Sequence, residues 1–306
     1  MGTNDLIFYL DKLRMLKNIS QEDFVEGIIS LRQYHRYIAG TSTFPFELFD
    51  KFSSRLDLRA EILLQNFEKE KHEEAILLNS YYDQVSQHNY EEALEIKAKI
   101  DPNNFLNQYS YLLYEHTNNH YAYMHKQITK SDLLFRTQTL INYPDILKSS
   151  VYSNIEFLVL SSLLSIDEFD GDLLYEKLIS ILDQGTLVID NHNNNGYLLT
   201  LYRLARYSGF KFKNHESIKF SKMIVDYNKK RRTIYLLDFA YLFLATNYYQ
   251  LGEEETYKSY LVKLYFILKV IDSKGKYDSF SNTVKTHLHI DLEDFVLSYM
   301  QKKETT

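Results

Sequence analysis

The amino-acid sequence has no cysteine and no tryptophan, and its 306 residues include only 9 glycines and 3 prolines. The absence of cysteine excludes a disulfide framework and thiolate metal sites, and it suits a reducing compartment. Because glycine and proline interrupt regular structure, their scarcity leaves long segments unbroken, and these segments carry apolar residues at helical spacing. The sequence therefore predicts an all-α protein.

The sequence also lacks a hydrophobic run long enough to cross a membrane. Its longest apolar stretches, 157–164 and 235–244, are short, and Asp238 interrupts the second, whereas a span needs about 20 apolar residues. The first residues carry acids within their apolar stretch and show no small-residue cleavage site, so no secretion signal is indicated. We expect a cytoplasmic protein with no membrane partner.

Catalytic motifs are missing as well. The sequence has no phosphate-binding glycine loop, no nucleophile elbow and no pair of carboxylates arranged for acid–base chemistry. His116, His120 and His125 lie close together, but no His-Glu-x-x-His motif or third carboxylate accompanies them. The sequence indicates no enzyme, no catalytic residue, no cofactor and no metal site.

The charge balance is acidic, with a formal net charge of −6, which argues against non-specific coating of nucleic acid. Residues 1–66 hold 8 basic and 9 acidic side chains, a balance of 8 − 9 = −1. Residues 27–46 differ, because they contain no carboxylate and include Arg32 and Arg36. Local sign decides what approaches a phosphate backbone, so this segment is compatible with DNA.

Residues 20–40 read SQEDFVEGIISLRQYHRYIAG, which predicts two short helices joined by a tight turn. Ser20 is a good N-cap, and Asp23 three residues later can complete a capping box. Gly27 tolerates positive φ at the break. Ser30 caps the second helix, and a second helix entered this abruptly is the geometry that lays side chains into a DNA major groove.

This segment resembles the XRE-type helix-turn-helix, and more narrowly the version found in Rgg-, PlcR- and PrgX-like (RNPP) peptide-sensing regulators. The matching residues are Ser20, Gln21, Glu22, Gly27, Ile28, Ile29, Ser30, Arg36 and Gly40. The sequence departs from the family at His35, where Ser is usual, and at Ile38 and Ala39, where Glu-Arg is usual. A generic two-helix corner in a helical protein is the competing interpretation.

The resemblance implies a five-helix DNA-binding domain over residues 1–66, with a double-stranded DNA operator as its partner. Besides the two helices within 20–40, the second of which spans 31–39, apolar spacing predicts helices at 5–16, 46–56 and 59–64. The charged stretch 67–74 is expected to continue helically into the second domain, residues 67–306.

The candidate DNA-binding residues are Arg14, Lys17, Gln21, Leu31, Arg32, Gln33, His35 and Arg36. The first three would contact phosphates. The polar residues of the second helix would face the groove, where Arg pairs with guanine and Gln with adenine, and Leu31 could touch a thymine methyl. Tyr34 and Tyr37 are expected on the core face. In the family a Glu at the position of Ile38 pairs with an Arg at that of Arg14, so Arg14 is expected to be free for phosphate.

Beyond residue 66 the sequence indicates degenerate helical repeats. Residues 88–104, with small Ala93 and helix-stopping Pro102, resemble the second helix and exit of a tetratricopeptide repeat. A second segment that resembles part of a tetratricopeptide repeat, residues 248–253, places Gly252 in the turn before a helix over 254–270. Further helices are expected at 104–117, 132–142, 153–166, 172–189, 197–208 and 214–228, with polar turns such as 192–196. The expected fold is a tetratricopeptide-like solenoid of helical pairs.

Such a solenoid offers a surface lined by the first helix of each pair, which suits an extended peptide because polar side chains can satisfy its backbone amides. The candidate peptide-binding residues are Asn107, Gln108, Tyr111, Asn154, Tyr202, Arg206, Asn247 and Tyr248. The competing interpretation is that each of them is a solvated or half-buried side chain that contacts no ligand. The basic run 229–232 is expected to be a solvated turn between helices.

By family resemblance, the second domain senses a short signalling peptide and mediates homodimerisation, so the sequence predicts a DNA-binding transcriptional regulator modulated by that peptide. The alternative is a tetratricopeptide-like interaction scaffold without direct gene regulation.

Overall fold

A computed structural model describes residues 3–185, 187–188 and 194–304, and the all-α prediction is confirmed. The α-helices are α1 (Thr3–Leu16), α2 (Gln21–Val25), α3 (Leu31–Ile38), α4 (Glu47–Arg55), α5 (Ala60–Ser86), α6 (Tyr90–Lys97), α7 (Gln108–Met124), α8 (Lys130–Leu140), α9 (Asn154–Ser162), α10 (Asp172–Gln184), α11 (Asn194–Phe210), α12 (Asn214–Arg231), α13 (Leu237–Gln250), α14 (Glu254–Ile271), α15 (Lys274–Leu288) and α16 (Leu292–Glu304). Within the described ranges, no helix has the length and apolarity that a membrane span requires.

Minor elements complete the secondary structure. Short 3-10 helices lie at Pro102–Asn104, Asp145–Lys148 and Leu163–Ser165. The strands β1 (Tyr152–Ser153) and β2 (Leu187–Val188) form a two-residue parallel pair. The pairing of β2 overturns one expectation, because the helix predicted over 172–189 ends at Gln184, where Gly185 adopts a φ of 64°.

The chain forms two compact units, Met1–Ile128 and Thr129–Thr306. In the first unit, α1 to α4 and the first turns of α5 share one hydrophobic core. Its fully buried large side chains are Tyr9, Phe24, Tyr34, Phe44, Phe49, Phe52 and Phe67. The predicted five-helix bundle is therefore present, and its core is rich in aromatic rings.

Helix α5 runs unbroken for 27 residues, so the predicted fifth helix and the charged stretch after it are one element. Leu63 and Phe67 on its first half belong to the bundle core. Tyr81 and Tyr82 on its second half are buried where α5 contacts α6 and α7. The predicted division between residues 66 and 67 falls inside this helix, and the assignment of two domains stays a prediction.

Helix α6 matches the expected second helix of a repeat. Its small Ala93 is fully buried, as the close approach of α5 requires, and Pro102 opens the 3-10 turn that follows.

The second unit stacks helical pairs in chain order. Helix α11 contacts α9, α12 and α13, and α13 contacts α14 and α15. Gly252 lies in the turn between α13 and α14 with a φ of 74°, as expected from the sequence. Residues 192–193 of the expected polar turn lie outside the described residues, and the prediction of a turn is wrong for residues 194–196, which form the first turn of α11.

Candidate DNA interface and repeat surface

Two capping serines and one glycine shape the corner between α2 and α3. The Ser20 hydroxyl accepts the Asp23 backbone N–H at 3.0 Å and donates to the Asp23 carboxylate at 2.7 Å. The Ser30 hydroxyl accepts the Gln33 N–H at 3.2 Å. Gly27 has a φ of 70°, and a Cβ there would meet nothing within 4 Å. Backbone conformation, rather than space, favours glycine at this position.

The inner face of α3 is fixed by two buried tyrosines, as the sequence predicts. The Tyr34 ring lies edge-on to Phe24 at 6.0 Å, and the Tyr37 ring lies edge-on to Phe44 at 5.5 Å. The Tyr34 hydroxyl donates to the carboxylate of Asp11 on α1. Burial raises the pKa of Tyr34, and the bond to Asp11 raises it further. With this face held, the opposite face of α3 points outward.

Arg55, which the sequence reasoning missed, stabilises the corner by binding the end of α2. Its guanidinium donates to the carbonyl oxygens of Asp23, at 3.0 Å, and of Glu26. These carbonyls lie at the end of α2, where helix geometry leaves them without partners. The only sequence signal for this role is an arginine in the last turn of α4, because the pairing spans about 30 residues.

The outer face of α3 carries the two arginines that sequence reasoning placed in the groove. Arg32 and Arg36 are exposed and lie one helical turn apart. Neither guanidinium forms an ion pair with any described residue, and the surrounding segment 27–46 has no carboxylate. Leu31 and Gln33 are half-buried beside them. The arrangement presents an unneutralised positive edge to solvent.

Arg14 corrects one expectation, because it is not free for phosphate. It is only 8% exposed. Its Nε donates to Asp11 at 2.6 Å, and its Nη1 donates to the Ile19 carbonyl oxygen. Asp11, three residues earlier on α1, is therefore the acidic partner of Arg14.

Two other phosphate candidates, Lys17 and Gln21, each form one hydrogen bond within the protein, and in Gln21 this bond uses only the side-chain oxygen. The Lys17 ammonium donates to the Leu56 carbonyl oxygen at the end of α4, so it caps a helix even though the residue is exposed. The Gln21 side-chain oxygen lies 2.9 Å from His35 Nε2. Gln21 and His35 therefore bond to each other across the corner while both remain at the surface.

The asparagine candidates for peptide binding are used inside the protein. Asn107 caps α7 by accepting the Ser110 N–H at 2.9 Å. Asn247, 4% exposed, donates to Ser217 Oγ at 3.0 Å, and Asn154 is 2% exposed. The same ability to donate and accept that suits a peptide also suits helix ends and buried packing. Burial contradicts the prediction that Asn154 and Asn247 face a ligand, whereas peptide binding by the half-buried Asn107 stays a prediction.

The remaining candidates divide between the two units. Gln108 and Tyr111 are exposed on α7 in the first unit. In the second unit Tyr248 is buried and stacks on Tyr260 at 5.8 Å, which withdraws it from the surface. Tyr202 and Arg206 of α11 are half-buried and therefore reachable.

Tyr202 belongs to an aromatic row that the sequence reasoning did not identify. Its ring contacts Phe239 at 4.8 Å and Phe243 at 5.6 Å, and Phe239 contacts Phe280 at 4.9 Å. The row crosses α11, α13 and α15. The i, i+4 spacing of Phe239 and Phe243 is its sequence signal.

Comparisons with known proteins place the fold. No protein-family model matches the chain, and no curated protein matches it either. ComR from S. thermophilus, solved in complex with DNA and its signalling peptide ComS, is similar with a TM-score of 0.53 at 14% identity, over 91% of this chain and 98% of that one. The apo form of the competence regulator ComR from Streptococcus vestibularis gives 0.53 at 10% identity, over 94% and 99%. Similarity at this level of identity shows a shared fold.

Proposed function

We propose that the chain is a DNA-binding transcriptional regulator of the Rgg-, PlcR- and PrgX-like peptide-sensing family, and not an enzyme. It acts in the cytoplasm as a homodimer on a double-stranded operator. A single helix-turn-helix covers few base pairs, so two copies reading two half-sites are the physical expectation.

The observation that carries the proposal is the outward face of α3. Tyr34 and Tyr37 hold the opposite face in the core, and Arg55 fixes the corner. Arg32 and Arg36 then project from a segment without carboxylates. Positive side chains on an exposed helix entered from a tight turn are the groups that bind phosphates and guanine edges in a major groove.

The fold supports the same proposal. ComR from S. thermophilus shares this fold and was solved with DNA and a signalling peptide bound. By this analogy the second unit holds a short signalling peptide that modulates operator binding. In the second unit the reachable candidates are Tyr202, whose ring contacts the half-buried rings of Phe239 and Phe243, and Arg206, one turn later on α11. Such a strip suits apolar peptide side chains, with Arg206 available to a carboxylate.

The test is a gel-shift competition with DNA from upstream of the chain's own gene. We expect the complex to resist an excess of shuffled duplex of equal length and to weaken steeply with added salt. Equal competition by shuffled and upstream DNA would contradict the proposal of a sequence-specific regulator.

Peptide binding is tested separately by calorimetry with short peptides encoded beside the gene. We expect one of them to bind, and the Arg206→Ala variant to bind it several-fold more weakly. Arg136→Ala, which removes an exposed arginine of α8, is the matched control. If none of these peptides gives heat, peptide sensing is wrong while DNA binding stands.

A further inference from the structure

The bond between Gln21 and His35 joins the first residue of α2 to the outer face of α3, over a distance of 2.9 Å. The two residues are 14 positions apart in sequence. Gln21 is half-buried and His35 is exposed, so the pair lies at the surface of the corner and not in its core.

The chemistry of the two groups determines which of them donates in this hydrogen bond. The Gln21 side-chain oxygen is a carbonyl and can only accept, so the His35 Nε2 must carry the hydrogen. In the neutral imidazole the other ring nitrogen, Nδ1, is then an acceptor. The amide nitrogen of Gln21 keeps both of its N–H donors, because the bond uses only the oxygen.

The position of His35 places this acceptor among the DNA candidates. His35 immediately precedes Arg36 and lies one turn after Arg32, and all three are exposed. In a major groove the exocyclic amino groups, N6 of adenine and N4 of cytosine, are the donors that such an acceptor fits. Guanine O6 and thymine O4 are acceptors and would face His35 Nδ1 without a hydrogen.

We propose that Gln21 and His35 form one base-reading unit, which rests on the proposed DNA-binding function. Gln21 holds the imidazole ring, His35 Nδ1 accepts from the exocyclic amino group of adenine or cytosine, and the Gln21 amide N–H groups donate to a phosphate. The unit gives α3 a preference for an amino-bearing base beside the guanines that its arginines favour. Gln21 is the positioning residue and His35 the specificity-determining one.

The first test removes the amino group alone. An operator is selected from a random duplex pool, and each adenine or cytosine in a half-site is replaced in turn by an analogue without its exocyclic amino group. Fluorescence anisotropy gives the dissociation constant for each duplex. We expect one position at which the wild-type protein loses roughly tenfold in affinity and His35→Ala loses nothing further.

The second test separates positioning from contact. At that position Gln21→Ala should also lose most of the discrimination, although it keeps the imidazole. Arg32→Ala is the control, because it should bind more weakly overall and keep the discrimination. Circular dichroism melting checks that each variant folds.

Three outcomes would overturn the proposal. His35→Ala could keep the discrimination at every position, or Gln21→Ala could discriminate as the wild type does. In the third, the wild-type protein selects no duplex from the pool, which removes the proposed DNA-binding function together with this inference.

Discussion

Arg14 donates from Nε to Asp11 Oδ1 over 2.6 Å, and the same carboxylate oxygen accepts the hydroxyl of Tyr34. Arg14 also donates to the Ile19 carbonyl oxygen in the loop before α2. One acid on α1 thus fixes both the approach to the corner and the inner face of α3. The orientation of the outward arginines depends on this network.

Asp11→Ala should destabilise the protein by about 2–4 kcal/mol, because it leaves a buried guanidinium and a buried hydroxyl without their acceptor. Urea unfolding followed by circular dichroism measures the change. Glu61→Ala is the matched control, since the Arg59–Glu61 pair is exposed and 3.5 Å apart, and its loss should cost no more than about 1 kcal/mol. Equal costs for the two variants would contradict the network.

Gly27→Ala should destabilise the corner by about 1–2 kcal/mol, because an alanine must adopt a φ of 70° there. Gly275→Ala offers the opposite case. Gly275 lies within α15 without positive φ, and a methyl group added there would meet nothing within 4 Å, so alanine should stabilise the helix by up to about 1 kcal/mol. Thermal melts of both variants compare the signs, and two shifts of the same sign would contradict this account.

The stability of the folded protein should depend on pH through the carboxyl group of Glu74. Burial raises the pKa of its carboxyl above the ordinary 4.5, although bonds from Ser110 and the Leu106 N–H oppose the rise. A raised pKa in the folded state means that the contribution to stability is complete below 4.5 and is lost as pH rises through the folded value.

Stability relative to Glu74→Gln should therefore fall as pH increases from 4.5. Urea unfolding of both proteins at about pH 4.5 and about pH 7.5 measures this difference. A difference that stays constant, or that grows with pH, would show that burial does not dominate at Glu74.

Lys276→Met should cost about 3–5 kcal/mol, because it leaves the buried carboxylate of Asp238 without the ammonium that lies 2.6 Å away. This pair joins α13 to α15. Lys269→Met removes a lysine 3.4 Å from the half-exposed Glu293 and should cost about 0–1 kcal/mol. Chemical unfolding compares the two variants, and similar costs would refute a structural role for the Asp238–Lys276 pair.

Local signals explain what the sequence predicted correctly. The caps at Ser20 and Ser30, the positive φ of Gly27 and the inward tyrosines of α3 each depend on residues within a few positions. The partners of Arg14 and Arg55 depend instead on which groups tertiary packing buries together. Arg14 lies only three residues from Asp11 in sequence. The importance of their bond nevertheless follows from tertiary packing, which buries Arg14 and Tyr34 around the Asp11 carboxylate.

The repeat surface was harder for the same reason. Asparagine was expected to face a ligand because its amide both donates and accepts, yet Asn247 uses that ability on Ser217 of the neighbouring helix. Sequence alone does not distinguish a polar group that faces a ligand from one that satisfies a neighbour. The aromatic row through Tyr202 likewise requires the register of three helices.

The central claim is that the outward face of α3 binds DNA, and one comparison of dissociation constants tests it most directly. Fluorescence anisotropy with upstream DNA should show that Arg32→Ala plus Arg36→Ala weakens binding by at least roughly 30-fold. Arg231→Ala plus Arg232→Ala, which removes two exposed arginines at the end of α12, should change it by no more than about twofold. Equal effects of the two double variants would contradict the claim.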